Sequence, residues 1–296
     1  YSISVHNPSI SKEELQNKID SVLTVVNLHF STYIEDSEIS IINNITDTNK
    51  ILISDKFKFV LNEALFYSNL SNGSYDITIE HLINIWGFGK DEFKEFPNAD
   101  EINIALDKTG YKKIILNENI LIKKHPQIKL DLNSLAKGYA VDQIYSLLDK
   151  FGYTDFLVEI GGELRSKGNN FYKNWLIGIQ NPISPSVIKK IKLNDYSMAT
   201  SGTYNNYFEY NDLFYSHIIN PISGYPFRYQ TISVTILASN CMMADAFATL
   251  CMTMSAEDAL ILINDNNNVE GYIIEIDSDG ELIEYQSTRF DEYITF

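Results

Sequence analysis

One stretch of the chain, residues 232–254, is apolar almost throughout and constrains the fold more than any other feature. Its first part, 232–238, reads as a strand that is buried on both faces. Its second part, 242–254, reads as a helix that carries one carboxylate and one hydroxyl, Asp245 and Thr249, four residues apart. That spacing puts the two side chains on one helix face, one turn apart. The chain therefore has to place a carboxylate within an apolar layer.

A buried Asp245 carboxylate needs a cationic partner. No Lys, Arg or His occurs between Cys241 and Leu260, so a bound metal ion is the simplest partner. Oxygen ligands of this kind suit a hard cation such as Mg²⁺. The alternative is that Asp245 lies in the first helical turn, where it complements the helix dipole, while Thr249 bonds back to a carbonyl. The segment alone leaves both interpretations open.

The net charge of −16 argues against a protein that binds the phosphate backbone of nucleic acids, and it disfavours an anionic membrane surface. If the ligand is nevertheless a phosphate ester, a metal ion or helix N-termini must reverse the field locally.

No apolar run approaches the length of a membrane span. The sequence opens directly in strand-like residues, so we expect no signal peptide, although removal of an earlier leader stays open. Cys241 and Cys251 are ten residues apart in one predicted helix, hence about 15 Å apart. They are not expected to bridge each other, and they do not decide the compartment.

Hydrophobic periodicity predicts the other elements. Helices are predicted at 11–30, with Ser11 as N-cap and Glu14 completing a capping box, and at 55–70, 99–108 and 134–150. Strands are predicted at 1–5, 128–132, 156–160, 175–180 and 214–219, and a hairpin turn at 277–280 joins two final strands. Between these elements we expect a polar connection at 31–40, a tight surface loop at 85–89 and an exposed insertion at 90–100. The centre of the chain thus shows a β-α-β pattern.

Two short patterns could approach an anionic ligand. Residues 131–138 turn from a strand end into a helix, whose free N–H groups and Lys137 would form an anion site. The paired glycines at 161 and 162 would allow a ligand to come close to the backbone. A capped helix with a solvated lysine, and a plain turn, explain the same residues without a ligand.

Two further patterns are weaker. Residues 198–204 place small hydroxyl side chains beside a glycine, which is a weak phosphate-loop signal. Residues 216–226 place His217 on a strand that leads into a Pro/Gly turn. A histidine on an apolar strand is also compatible with a core residue whose hydrogen bonds are satisfied.

Taken together and in this order, the patterns resemble one family closely, the ApbE (Ftp) proteins, which are FAD:protein FMN transferases. The family patterns are S-T-Y with S-E-I-S, F-D-P-T with W-G-F-G, D-L-G-G-I-A-K-G, I-G-G-D, A-T-S-G, H-I-I-D-P-x-T-G and A-D-A-x-A-T. They correspond here to 31–33 with 37–40, 75–78 with 86–89, 131–138, 160–163, 199–202, 217–224 and 244–249. The resemblance covers nearly the whole chain.

The chain departs from these patterns at a few positions. Asn133 and Ser134 replace Gly-Gly, and Glu163 replaces Asp. Thr203 stands where the family usually has an acidic residue, and Asn220 replaces the Asp of H-I-I-D-P. A role that requires a charge at position 220 is therefore not carried over.

The resemblance implies an α+β fold with a mixed β-sheet core and flanking helices, related to the T-fold. It implies one catalytic unit over residues 1–296, either undivided or formed by two lobes with FAD and Mg²⁺ between them. It implies that Mg²⁺ is held by Asp245, Thr249 and an oxygen of Ser134. It implies that FAD contacts come from Tyr33, Ser74, Tyr75, Asp76, Asp131, Lys137, Gly161, Gly162, His217 and Ile219.

The function implied is Mg²⁺-dependent transfer of FMN from FAD to a Ser or Thr hydroxyl of an acceptor flavoprotein, with release of AMP. His217 and Asp245 are the candidate catalytic residues, with His217 as base or positioning group near the acceptor hydroxyl. Lys137 would act as an electrostatic clamp, and Tyr33 or Tyr75 would stack on a ring of FAD.

Two other functions stay open: a Mg²⁺-dependent pyrophosphatase that splits FAD into FMN and AMP, and a non-catalytic FAD carrier. The resemblance also implies a lipoprotein of the bacterial periplasm or of the outer face of the cytoplasmic membrane. The only membrane contact expected is an N-terminal lipid anchor lost from this chain, and no nucleic-acid partner is expected.

Overall fold

The computed structural model describes residues 1–89, 95–203, 207–210 and 213–295, with only the backbone described at 208–210 and 213–214. The predicted insertion at 90–100 therefore lies partly outside the described residues. The chain divides into two compact units. Unit 1 contains Tyr1–Thr24, Leu135–Tyr204 and Tyr229–Phe296, and unit 2 contains Val25–Ser134 and Asn205–Arg228.

The described helices are α1 (Lys12–Phe30), α2 (Glu38–Asn44), α3 (Asp55–Leu70), α4 (Glu80–Ile85), α5 (Ala99–Asp107), α6 (Asn133–Lys150), α7 (Cys241–Cys251) and α8 (Ala256–Asn264). Helices α1, α3, α5, α6 and α7 lie where they were predicted, whereas α2, α4 and α8 were not predicted. Ser11 caps α1 as predicted, because its Oγ accepts a hydrogen bond from the N–H of Glu14 at 3.2 Å.

The described strands are mostly short. They are β1 (Ser2–Val5), β2 (Ile51–Leu52), β3 (Ile114–Asn117), β4 (Ile120–Lys123), β5 (Phe156–Ile160), β6 (Glu163–Lys167), β7 (Trp175–Gln180), β8 (Val187–Leu193), β9 (Ser197–Gly202), β10 (Tyr207–Tyr210), β11 (Leu213–Ser216), β12 (Thr231–Ala238), β13 (Val269–Ile276), β14 (Leu282–Gln286) and β15 (Ile294–Thr295). Every described ladder is antiparallel.

Unit 1 is built on a sheet of seven strands in the order β1-β5-β6-β9-β12-β13-β14. Buried side chains of α1 and α6 pack against Phe156 and Val158 of β5. A second sheet, β15-β8-β7, packs against Leu164, Leu237 and Tyr272 of the large sheet. Because alternate residues of a strand face opposite sides, helices cover one face and the small sheet covers the other. This layering explains why β12 is buried on both faces, as the sequence predicts.

Unit 2 contains the small sheet β2-β4-β3, the hairpin β10-β11 and helices α2 to α5. One of its apolar clusters joins Leu82 and Trp86 to Ile102, Tyr215 and Ile219. The indole N–H of Trp86 donates to the carbonyl of Gly224 at 2.7 Å. The α+β class with flanking helices is thus confirmed, with an antiparallel sheet in all described ladders.

Three predictions of local structure are wrong in unit 2. Residues 38–44 form α2 rather than continuing a polar connection, because Ser37 accepts from the N–H of Ser40 and so caps a helix. Trp86 is completely buried rather than part of a surface loop. The strand predicted at 214–219 ends at Ser216, so His217 follows the strand instead of lying on it.

The predicted strand at 128–132 has the right burial pattern, but it pairs with no strand in the described part of the chain. Ile128, Leu130 and Leu132 are buried in alternation, as predicted. However, the side chain of Asn43 accepts from the N–H of Leu130 at 2.7 Å and donates to its carbonyl at 2.9 Å. A side-chain amide thus takes the place of a neighbouring strand. The predicted β-α-β unit therefore does not form a parallel pair.

Among the described helices, none combines the length and apolar character that crossing a membrane requires. Cys241 and Cys251, at the two ends of α7, are both free and buried.

Candidate functional site

The Asp245 carboxylate lies inside unit 1, on the second turn of α7, and is only 3% exposed. Its Oδ2 accepts a hydrogen bond from the backbone N–H of Gly138 on α6, at 2.9 Å. A Cβ at position 138 would lie 2.4 Å from the carbonyl oxygen of Cys241, so the two helices cross where α6 has no side chain. The predicted glycine of the 131–138 pattern is thus required by helix packing.

The charge of Asp245 is not balanced by an ion pair within the described residues. Burial raises the pKa of this carboxyl well above its usual value, and the nearby Glu163 raises it further. Lys137 and the Gly138 N–H act in the opposite direction without cancelling that rise. Such a group is stabilised in its charged form by a cation placed against it.

The Thr249 hydroxyl follows Asp245 by one turn of α7, as predicted. Its Oγ1 lies 3.2 Å from Oγ of Ser201 on β9, rather than bonding back to a carbonyl of its own helix. The described residues contain no group of three or more His, Cys, Asp or Glu side chains that could hold a metal ion. A metal here would therefore need hydroxyl, carbonyl, substrate or water ligands, which Mg²⁺ accepts. The all-oxygen donor set fits that ion.

A neighbouring ion pair between α6 and β6 shows how another carboxylate of this region is satisfied. Asp142 pairs with Arg165 at 2.5 Å. It also accepts from the backbone N–H groups of Cys241 and Met242, at 3.0 and 2.9 Å. Asp142 therefore caps α7 together with Asn240 and has an ion-pair partner, although burial still raises its pKa above the usual value.

Lys137 lies on the second turn of α6 and forms an ion pair with Glu163. The Nζ to Oε1 distance is 2.5 Å, and the lysine side chain is 51% exposed while the glutamate is 2% exposed. Burial lowers the pKa of Lys137, but Asp245 and Glu163 outweigh it and raise the pKa above the usual value. Lys137 therefore stays positively charged, and its ammonium is held by Glu163 rather than being freely solvated.

The glycine turn predicted to approach a ligand joins β5 to β6. Gly161 and Gly162 have φ of 62° and 103°, a conformation that favours glycine. The N–H of Gly162 donates to Oε1 of Glu159 at 2.9 Å. A Cβ on Gly161 would be 3.9 Å from Cδ of Lys137, so the structure brings this turn and the lysine together.

In unit 2 the structure brings the 74–76 segment to the start of α6. The Tyr75 hydroxyl is 2.6 Å from Oγ of Ser134, and the N–H of Asp131 donates to the carbonyl of Ile77 at 2.7 Å. Asp131 Oδ1 accepts from the N–H of Asn133, as a helix cap does. Burial raises the pKa of Asp131, and Glu80 adds to the rise.

Asp76 has a structural task of its own. Its Oδ1 accepts from the N–H and the hydroxyl of Thr78, at 2.8 and 2.6 Å, and its Oδ2 accepts from the N–H of Tyr111 at 2.7 Å. Burial is the largest influence on its pKa, which is raised. Ser74, adjacent to this network, follows the positive-φ residues Asn72 and Gly73 that end α3.

Tyr33 is 81% exposed, whereas Tyr75 is 4% exposed. Of the two tyrosines predicted to stack on FAD, Tyr33 presents its ring to solvent. A polar cavity of about 270 Å³ in unit 2 is lined by Thr32, Glu35, Ser40, Asn43, Asn44, Glu80 and Lys129.

The predicted residues His217 and Ile219 lie in a tight turn after β11. The His217 ring is 6.2 Å from the ring of Phe88, centroid to centroid. Ile219 is buried and bridges to Pro226. Asn220 Oδ1 accepts from the N–H groups of Ile222 and Ser223, at 2.8 and 3.2 Å. A neutral oxygen performs this task, which explains why the turn tolerates Asn where the family pattern has Asp.

The contacts of three residues described above could not be predicted from the sequence. Glu163 looks like the start of a strand, Asn43 like one of several asparagines, and Ser201 like part of a weak loop motif. Their partners are 26, 87 and 48 residues away, respectively, so no local pattern identifies them.

Residues 1–273 match the model of the ApbE family. The FAD:protein FMN transferase of Vibrio cholerae serotype O1 is 36% identical over 296 residues, covering 98% of this chain and 88% of that protein. The FAD:protein FMN transferase of Haemophilus influenzae is 36% identical over 290 residues, covering 95% of this chain and 83% of that protein. The solved structure of flavin transferase ApbE from Vibrio cholerae superposes with a TM-score of 0.91 at 34% identity, covering 98% of this chain and 94% of that one.

Proposed function

The chain belongs to the ApbE family of flavin transferases, and we propose that it transfers FMN from FAD to a Ser or Thr hydroxyl of an acceptor flavoprotein and releases AMP, with Mg²⁺ as cofactor. The observation that carries the metal part of this proposal is the buried Asp245. It has a raised pKa, a main-chain N–H as hydrogen-bond partner, no ion pair among the described residues, and a hydroxyl one turn away.

Asp245, Thr249 and an oxygen of Ser134 would hold the ion. When bound, Mg²⁺ would neutralise the pyrophosphate and polarise the phosphorus under attack. Lys137 supports the binding of an anionic ligand, because its ammonium is charged and half exposed on a chain of net charge −16. The remaining chemistry is positioning, which is the main requirement of phosphoryl-type transfer.

We assign the contact with a ring of FAD to Tyr33, because its ring is exposed and that of Tyr75 is packed inside the protein. Tyr75 and Ser74 would then support the start of α6, through the hydrogen bond between the Tyr75 hydroxyl and Oγ of Ser134. Asp76 and Asp131 would hold the backbone of this region rather than provide free charges. Gly161, Gly162 and Ile219 would contribute backbone surface.

His217 is proposed to accept the proton of the acceptor hydroxyl. The hydroxyl oxygen forms a bond to the FMN phosphorus, the bond from that phosphorus to the bridging pyrophosphate oxygen breaks, and AMP leaves with the electron pair. His217 directly precedes the turn that Asn220 and the Trp86 to Gly224 bond stabilise, which supports a defined backbone position for this residue.

The test is incubation of the purified protein with FAD, Mg²⁺ and candidate acceptor flavoproteins, followed by intact-mass measurement of both proteins and quantification of AMP. We expect AMP release that rises with acceptor concentration and equals the amount of flavin bound covalently to the acceptor. Release of AMP and FMN at full rate without any acceptor would favour a pyrophosphatase, and release of neither would favour a carrier.

We further propose that the protein acts in the bacterial periplasm or at the outer face of the cytoplasmic membrane. Acceptors for the assay are therefore chosen among periplasmic and surface flavoproteins. Fractionation of cells that express the full-length protein checks this location.

A further inference from the structure

Glu163 is a poor residue for stability at its position. It opens β6 directly after the Gly161-Gly162 turn and is 2% exposed. Its Oε1 accepts from Lys137, but Oε2 is buried without a hydrogen-bond partner in the described part of the chain. A buried carboxylate oxygen without a partner costs free energy, and an apolar residue of similar size would often be more stable. The carboxylate therefore needs an explanation other than folding.

The two ends of the Lys137–Glu163 pair differ in their surroundings. Glu163 is enclosed, while Lys137 reaches towards solvent with half of its side chain exposed. A free lysine samples many rotamers, because four flexible carbons separate its ammonium from the backbone. The ion pair with the buried Glu163 restricts the position of the ammonium and leaves its solvent-facing side accessible.

We infer that Glu163 is a positioning residue, which holds the Lys137 ammonium where it meets an anionic ligand. The ligand in question is the pyrophosphate of FAD, so this inference rests on the proposed function. Because the Glu163 carboxylate is enclosed, it acts through Lys137.

The chain offers a matched control for the loss of a buried carboxylate pair. Glu270 is 4% exposed, lies in unit 1, and pairs with the half-exposed Arg289 at 2.5 Å. Glu163→Gln and Glu270→Gln therefore remove the same charge from a buried pair, although Oε2 of Glu270 also accepts from the Ser287 hydroxyl and the Arg289 N–H. A purely structural role thus predicts that Glu270→Gln has consequences at least as large as those of Glu163→Gln.

The first experiment needs no ligand. Lys137 is modified with an amine-reactive reagent in the protein without FAD, and the rate is followed by peptide mass spectrometry. We expect faster modification in Glu163→Gln than in the wild type, because the ammonium loses a charged partner and a fixed position. Glu270→Gln should match the wild-type rate. An unchanged rate in Glu163→Gln would overturn the inference.

The second experiment measures the Kd of FAD at several salt concentrations. Glu163→Gln should weaken FAD binding about tenfold or more, which is the range of a charge-assisted hydrogen bond, and should flatten its salt dependence. Glu270→Gln should change neither the FAD affinity nor its salt dependence. Glu163→Asp keeps the charge on a shorter stem and should recover part of the FAD affinity. It also serves as the test variant if Glu163→Gln does not fold.

The double variant Lys137→Ala/Glu163→Gln separates this inference from the function on which it rests. If Glu163 acts through Lys137, the double variant binds FAD as weakly as Lys137→Ala alone. Additive losses would overturn the inference, as would wild-type FAD affinity in Glu163→Gln when Lys137→Ala binds weakly, and in both cases the proposed function would stand. If neither single variant changes FAD affinity, the clamp role of Lys137 fails and the inference fails with it.

Discussion

The backbone N–H of Gly138 donates to Oδ2 of Asp245 at 2.9 Å, so the main chain of α6 holds the carboxylate of α7. The same glycine lies where a Cβ would meet the carbonyl oxygen of Cys241 at 2.4 Å. One residue thus satisfies the carboxylate and allows the helices to approach.

Gly138→Ala tests the close helix crossing, because helix propensity and steric overlap predict opposite changes in stability. Ala favours a helix over Gly by about 1 kcal/mol, so propensity alone predicts stabilisation. The overlap with Cys241 predicts instead a loss of about 1–3 kcal/mol in the free energy of unfolding. Urea denaturation measures the change, with Ser146→Ala on the exposed face of α6 as control. Stabilisation of Gly138→Ala would contradict the close crossing.

Asp245→Ala should abolish the dependence on divalent metal and nearly all FMN transfer while the fold stays intact. Without metal, the variant should be as stable as the wild type or more stable, because it removes a buried charge beside Glu163. Thr249→Val, which is close in shape, should reduce activity less. Metal titration, AMP release and thermal unfolding check these outcomes. Full wild-type turnover in excess chelator would exclude a metal role.

Lys137→Ala should lower FAD affinity and make the remaining affinity less sensitive to salt, because one screened charge contact is lost. The Kd of FAD is measured by titration at low and high ionic strength. Lys18→Ala removes an exposed lysine that pairs only loosely with Glu14, at 3.7 Å, and serves as control. Equal affinity and equal salt dependence in Lys137→Ala and the wild type would exclude the clamp.

His217→Ala should retain the binding of FAD and Mg²⁺ but lose FMN transfer by about 10²–10⁴-fold, as is typical of general acid–base groups. Acceptor flavinylation is followed by intact mass, and FAD binding by titration. His81→Ala is a suitable control, since His81 is a histidine of unit 2 bonded to the Gln127 carbonyl outside the proposed site. Unchanged transfer in His217→Ala would remove the assigned base.

Asn43→Leu should cost about 2 kcal/mol of stability, because both hydrogen bonds to Leu130 are lost. Asn44→Leu is the control, since the described contacts give the Asn44 side chain no hydrogen bond. Denaturation gives the stability, and amide exchange at Leu130 reports the local bond. Unchanged exchange in Asn43→Leu would show that the amide is protected in another way.

Helices and buried strands were predictable where local periodicity decides the structure. Helix α3 has the predicted bounds, and β12 is buried on both faces because its sequence is apolar on both. The alternation at 128–132 also gives the correct buried residues. It could not show that Asn43, rather than a strand, binds the backbone of Leu130. The alternation of side chains predicts which residues are buried, whereas the backbone partner comes from a distant segment of the chain.

The candidate site was predictable as a set of residue types but not as a set of contacts. The i, i+4 spacing of Asp245 and Thr249 identified a buried carboxylate with a hydroxyl on the same face. The pairing of Lys137 with Glu163, 26 residues away, follows from sheet register and helix packing. Sequence patterns also misplaced Trp86, because its burial is fixed by Gly224, 138 residues further along.

The support of Asp245 by a main-chain amide has a consequence for how such a site changes during evolution. Every residue except proline carries that amide, so no ordinary substitution at position 138 can delete the donor itself. Variation at 138 acts only through volume, and the crossing with Cys241 leaves no room for it. A change in the environment of this carboxylate therefore requires substitution of Asp245 itself or of the side chains around it, since the amide that binds it belongs to the main chain.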